Sequence, residues 1–408
     1  MKKNVILFIA GILSISSSLF AQSSSRCATD VWMTLDNKQI PKAVKLADEC
    51  VIQNPNSADA WLMRANAYLQ RHQEEEKNLE KNPKYIVKEP DAIIIANDCF
   101  IKAQEINPNI EPRTGMFGPN RGRSLCALPL YNKATEILKV ANYEKARDLL
   151  IASIRNFGIE KTSSTQLKYN MGIFYSTLSG VYLALKDSAN AKQTIINGVK
   201  TNTTYHNIYL DLCDIYKAEK DTANFFKTIQ AAKKNVPDSM ALDIYIYELE
   251  YYALTKNVDK MNATRDLIFE KYGKTVQTII LVVAYLTENQ QLESANELLL
   301  QGLEMDPLNF KLNSWMARRY YVEGLKYEDE YAQAIANKKY DLINSINAKK
   351  KEALEKAHEW AEKAYQINSD DMDNNIRLHS YKSILQKEIP EDLKRKVESY
   401  RSGNYENK

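Results

Sequence analysis

The stretch "SADAWLMRANAYLQ" (Ser57–Gln70) and, after an interruption, "DAIIIANDCFIKAQEINPN" (Asp91–Asn109) decide the fold. In the first, Trp61, Ala65 and Tyr68 recur at helical spacing and so share one face of a helix. In the second, Ala96, Phe100 and Ala103 do the same, and Pro108 follows. Aromatic rings on one helix act as knobs, and alanines are the small sites that let an antiparallel neighbour come close. A proline ends the pattern because it cannot donate the next helical hydrogen bond. The two segments therefore read as a packed pair of helices.

The pattern recurs in both directions along the chain. "KAVKLADECVIQNPNS" supplies Ala43, Ala47, Cys50 and Pro55, and "VVAYLTENQQLESANELLLQGLEMDPLN" supplies Ala295, Leu299, Gly302 and Pro307. "LCDIYKAEKDTANFFKTIQAAKKNVPD" adds Tyr216, Phe225, Ile229, Ala232 and Pro237. Weaker copies begin at Leu130, Leu178 and Tyr247, and a last one, begun at Asn309, closes with "ALEKAHEWAEKAYQIN". No alternation of apolar and polar residues argues for a sheet. Self-similarity at a fixed period means stacked units, each unable to bury its apolar face alone.

This series resembles the tetratricopeptide repeat. The resemblance implies an all-α, right-handed superhelical solenoid of antiparallel helix pairs, with an inner groove lined by the first helix of each pair. It further implies a binding protein without catalytic residues or cofactor. The expected plan is a signal peptide over residues 1–21, N-terminal repeats with an insertion over 22–110 and a loop over 111–124. Central repeats over 125–308, an interrupted repeat over 309–370, and capping helices with a frayed tail over 371–408 complete it. The interruptions lie near Arg71–Pro90 and Glu323–Ala348, where charged, helix-friendly sequence is expected to lengthen helices.

The first residues, "MKKNVILFIAGILSISSSLFAQ", have the layout of a secretory signal: two lysines, a short apolar run, then small residues. No cysteine stands at the expected cleavage point, and no later segment is apolar enough to span a bilayer. The expectation is an exported protein of the periplasm or cell envelope. With a formal charge of +3 on the whole chain, nothing points to nucleic acid or an anionic membrane.

The search for chemistry finds four scattered histidines, with no metal-ligand spacing, phosphate loop, nucleophile elbow or dinucleotide fingerprint. Binding is the better prospect. Some tetratricopeptide proteins hold a C-terminal carboxylate with a clamp of lysines, asparagines and an arginine. Asn66 and Asn132 fall at two asparagine positions, but the basic positions are Leu62, Ile173 and Thr177. Without cations the charge-assisted bonds are lost, so the clamp is rejected. Asn66 and Asn132 remain as polar groove candidates. Tyrosine is abundant, at 25 residues, and Tyr247 and Tyr252 in "YIYELEYY" are candidates for an aromatic contact surface.

The loop "EPRTGMFGPNRGRS" (Glu111–Ser124) departs in composition from its flanks. Its Arg113, Arg121 and Arg123 are candidates for partner docking, the last two just ahead of a helix expected near Leu125. Five cysteines permit two staples at the N-terminal end, Cys27–Cys50 and Cys99–Cys126, with Cys213 left over. "DSA", "DTA" and "DSM" resemble the O-glycosylation sequon of exported Bacteroidetes proteins, which points to Ser188, Thr222 and Ser239. The same residues also suit helix capping. The favoured function is an envelope scaffold holding a protein partner of unknown identity; its rivals are a SusD-like glycan-binding accessory of an outer-membrane importer and an enzyme whose site carries no known motif.

Overall fold

The computed structural model describes residues 26–159 and 165–402, and all regular structure within them is helical. The signal-like segment 1–21 and the tail 403–408 lie outside the described residues. Helix α1 covers 26–36. It is followed by α2 (Ile40–Gln53), α3 (Ala58–Lys81), α4 (Ala92–Ile106), α5 (Pro119–Leu138), α6 (Tyr143–Phe157), α7 (Thr165–Ala184), α8 (Ser188–Val199) and α9 (Asn207–Ala218). Then come α10 (Thr222–Asn235), α11 (Leu242–Leu254), α12 (Val258–Tyr272), α13 (Val276–Glu288), α14 (Leu292–Met305), α15 (Phe310–Ala336), α16 (Ile343–Ile367), α17 (Met372–Ile384) and α18 (Glu391–Arg401). Two compact units divide inside α9, one ending at Leu212 and the other beginning at Cys213. The division falls within the segment read from sequence as a continuous central stack.

Within each unit consecutive helices pack, from α2 to α8 and from α10 to α18, and odd-numbered helices also touch one another, as in α3 on α5, α11 on α13 and α13 on α15. The residues that marked the repeat are what closes these pairs. Ala43, Ala47, Ala65, Ala96, Phe100 and Ala103 are all fully buried in the first unit, as are Ala295 and Leu299 in the second. Burying a ring such as Phe100 contributes roughly 2–3 kcal/mol. Gly122 shows how little room remains: a Cβ there would stand 2.2 Å from the Phe100 ring.

One turn closes nearly every pair. Lys38, Ala141, Lys186, Lys220, Lys256, Gln290, Lys338 and Gln386 all have φ between 53° and 61°. At Lys256 the geometry is complete: its N–H donates to Ala253 O at 3.0 Å, and the Asn257 N–H donates to Tyr252 O at 2.8 Å. This pair of bonds satisfies the last carbonyls of the outgoing helix. Asn257 is at once the N-cap of α12, its side chain accepting from Lys260 N–H. Asp187 and Asp221 play the same double part for α8 and α10. C-cap and N-cap are thus fused, and the hairpin angle is set by the backbone.

The two interruptions are accommodated differently. At the first, only α3 is lengthened, and residues 82–91 return to α4 without the left-handed turn. At the second, the same turn at Lys338 joins two long helices, so the extra sequence is shared between both arms of one hairpin. The loop expected over 111–124 is shorter than read. Gly118 is the N-cap and Pro119 opens α5, so Arg121 and Arg123 lie within the helix. Proline fits the first helical turn because its missing N–H has no partner there anyway. At the end of the chain, α18 buries Leu393 and Val397 against α16 and α17 residues such as Ala361 and Leu378, which caps the second unit.

A left-handed conformation costs a residue with a Cβ roughly 1–2 kcal/mol. Lys256 is exposed. Lys256→Gly is therefore expected to raise stability by about 1 kcal/mol. Chemical denaturation would read this as a higher midpoint at unchanged slope.

Candidate interaction surfaces

In the second unit, α13, α15 and α17 enclose a cleft of about 360 Å³. Its apolar wall includes Ile280, Ala284, Phe310 and Trp315, and its rim carries Lys311, Asp371, Asp373 and Arg377. These charges have the local chain to thank for their places. Asn309 caps α15, so Phe310 and Lys311 fall in its first turn. Asp371 caps α17 by accepting from Asn374 N–H, and Asp373 follows in the first turn, where a helix favours negative charge. Arg377 reaches Ser314 Oγ at 3.4 Å. Two cations and two anions thus surround a partly exposed indole.

In the first unit the segment Ile110–Gly118 folds back over α1 and α3. Asn66 is buried and binds the segment's backbone twice: Phe117 N–H donates to its Oδ1 at 2.8 Å, and its Nδ2 donates to Phe117 O at 3.0 Å. Arg113 pairs with Asp59 at 2.6 Å and donates to Thr29 Oγ1 at 2.9 Å. Trp32 Nε1 donates to Thr114 O at 3.0 Å. Asn66 and Arg113 are thereby committed within the chain. Arg123 is committed as well, to Asn156 Oδ1 and Gln104 Oε1. Asn156 Nδ2 in turn donates to Asn97 Oδ1 at 2.7 Å, which ties α4, α5 and α6 together. Arg121 is exposed on α5.

Asn132 is exposed and lines a second cleft of about 290 Å³, between the lengthened α3, the 82–91 return and α5. Burial holds His72 there below its ordinary value, against the pull of Glu76 and Glu136. The wall of this cleft rests on an internal ion pair. Arg71 Nη2 meets Glu75 at 2.6 Å, and the Lys88 N–H donates to the same carboxylate at 3.3 Å. Among the described residues, no group of three or more His, Cys, Asp or Glu could hold a metal ion. None of the described helices is long and apolar enough to cross a membrane.

The tyrosine surface expected on α11 is differently arranged. Tyr252 is buried on the core face with Tyr245 and Glu248, so it is not a contact residue. Tyr247 is half-buried, and its hydroxyl donates to Asp214 while Lys217 lies 5.7 Å over its ring. Burial, with Asp214 adding to it, pushes the Tyr247 hydroxyl far above its ordinary value. Phe226 and Tyr251 stack at 4.9 Å, so this aromatic set fills packing positions.

Of the two staples, Cys27 and Cys50 are joined, with Cα atoms 5.7 Å apart. Cys99 and Cys126 are not: both are buried thiols, as is Cys213. The Cys99 sulfur accepts instead from Arg64 Nη1 of α3 at 3.4 Å. Ser188, Thr222 and Ser239 are exposed at helix starts. The capping at α8 and α10 is done by Asp187 and Asp221, each also held by the Nδ2 of the asparagine three residues on, at 2.7 Å.

No protein-family model matches the chain, and no curated protein does. Among solved structures, the chain is similar to yeast Tom70 at 14% identity and a TM-score of 0.34, covering 93% of this chain and 88% of that one. The tetratricopeptide domain of P58(IPK) matches at 12% identity and 0.26, covering 89% and 98%. Pseudomonas aeruginosa pilF matches at 14% and 0.26, covering 62% and 93%. The architecture described above rests on this chain's own helices, caps and buried residues.

Sequence reasoning missed the α13/α15/α17 cleft. Its charges sit near the starts of two helices, α15 and α17, which are far apart in sequence. Two measurements check the packing described here. Burial pushes the thiols of Cys99 to about 11 and of Cys126 and Cys213 to about 12. Alkylation of unreduced protein is therefore expected to be negligible at pH 8 in the native state and to reach three cysteines, by intact mass, once unfolded. Glu75→Ala removes one of the two carboxylates held by the buried Arg71, which keeps Glu74, and frees the Lys88 N–H; it should cost about 1–3 kcal/mol, read by chemical denaturation.

Proposed function

We propose that this chain is a non-catalytic scaffold that holds a protein partner, exported to the periplasm or cell envelope. The observation that carries the reading is the cleft of α13, α15 and α17. Three first helices of successive pairs present Phe310 and Trp315 beside unpaired charges of both signs. That combination suits a peptide segment with an apolar anchor and charged neighbours: the indole supplies contact area, and the charges fix register. The reading of export rests on the Met1–Ala21 pattern, and the Cys27–Cys50 link suits an oxidising compartment. The exposed hydroxyls of Ser188, Thr222 and Ser239 are open to glycan addition there.

Crosslinked pulldown from the envelope fraction, with mass spectrometry, tests the scaffold. The wild-type chain should recover a protein that Trp315→Ala recovers at least about ten-fold less, the loss expected of an aromatic anchor. Equal recovery by the variant would remove the cleft from the reading. Recovery of nothing above an unrelated exported control, together with glycan binding by calorimetry, would favour the importer accessory instead.

A further inference from the structure

The link between α4 and α5 is longer than the fold requires. Other pairs are joined by Asn54–Ser57, Asp306–Asn309 and Asn368–Asp371, yet here the chain runs from Asn107 to Gly118. The extra length goes to a place neither α4 nor α5 occupies, the face shared by α1 and α3. There it is held as a bound peptide would be. Asn66 reads both the N–H and the C=O of Phe117, and Trp32 reads the C=O of Thr114. These contacts accept any main chain in that conformation. One side chain is read specifically: Arg113 enters a subsite made by Asp59 and Thr29.

The segment lies on the surface. Not one residue from Ile110 to Gly118 is buried, whereas Asn66 beneath them is 1% exposed. Gly115, at φ +77°, gives the turn that lets Arg113 and Phe117 face the same helices. Ile110, Met116 and Phe117 are half-buried against the edge of the core, whereas the core alanines and Phe100 are fully buried between helices. Lifting it would uncover Asn66, Asp59 and the Trp32 indole without unmaking the helix pairs.

We propose that the α1/α3 face is a binding site for an extended, arginine-bearing segment of a partner protein, and that Ile110–Gly118 is its resident occupant in cis. Asp59 and Thr29 take the partner's guanidinium, and Asn66 pairs with the backbone four residues further on. A tethered occupant competes at an effective concentration in the millimolar range, so the site is closed to weaker segments and opens to one that binds better. The site lies in the first unit and stands or falls independently of the α13/α15/α17 cleft.

The test uses the full chain and a fluorescein-labelled peptide of the occupant's own sequence, IEPRTGMFG. Arg113→Ala removes the occupant's anchor and leaves Thr29, Trp32, Asp59 and Asn66 intact. By fluorescence anisotropy this variant should bind the peptide at least about ten-fold more tightly than wild type, as expected when a tethered competitor is weakened. Adding Asp59→Asn to it should return binding to the wild-type level or below. Hydrogen exchange should show the Phe117 amide opening faster in Arg113→Ala while α1 and α3 keep their protection. If Arg113→Ala does not fold, Arg113→Gln makes the same comparison. A folded variant that binds no better than wild type, or binding indifferent to Asp59→Asn, overturns the proposal and leaves the segment a fixed connector.

Discussion

In most helix pairs the chain turns on one left-handed residue, and at Ala141, Lys186, Lys220 and Lys256 the next residue also caps the second helix; the rest of the structure depends on that economy. The first of these two residues adopts a left-handed conformation, and the second accepts the last free carbonyl's partner role while capping the next helix. Because the outgoing carbonyls and incoming amides are satisfied by backbone and by one Asp or Asn side chain, the turn needs no core of its own. It can then repeat at Ala141, Lys186, Lys220 and Lys256 without regard to what lies around it. The alanines on the facing helices do the complementary work by letting the arms close.

The departures from this rule are the informative places. At Lys338 the turn is kept and both arms grow, because a hairpin can lengthen indefinitely if its two sides stay in register. Between α3 and α4 the turn is lost, and the return segment needs another anchor. The buried Arg71–Glu75 pair supplies it, with the Lys88 amide as a third member. Between α4 and α5 the anchor is Asn66, whose amide side chain imitates a strand edge for one residue of the passing chain. In both irregular links a buried polar group takes up backbone hydrogen bonds that helices elsewhere satisfy internally.

The helix pairs were readable because their signal is local. Trp61, Ala65, Tyr68, Phe100 and Pro108 announce themselves through spacing, and spacing is a property of the chain. The turns were less readable. Lysine or glutamine, not glycine, occupies the left-handed position, so the usual punctuation is missing. Tyr247 and Tyr252 showed a further limit. Spacing placed them on different helical faces, but which face met α9 and α10 depended on partners such as Asp214 and Phe226 far along the sequence.

Among the described residues, the sequence by itself determined that the chain is helical, where its pairs lie, and that Cys27 and Cys50 fall on helices able to meet. All of these follow from side-chain period and from proline's missing donor. Only the tertiary structure decided which polar residues are spent internally and which stay available. Asn66, Arg113 and Arg123 looked no different in sequence from Asn132. The first three are used up holding segments to the stack, because a buried helix face or a passing backbone needed their hydrogen bonds. The charged cleft of α13, α15 and α17 arises for the same reason in reverse. Two helix starts, each capped on its own by Asn309 and Asp371, bring Lys311, Asp371, Asp373 and Arg377 together only when the helices stack.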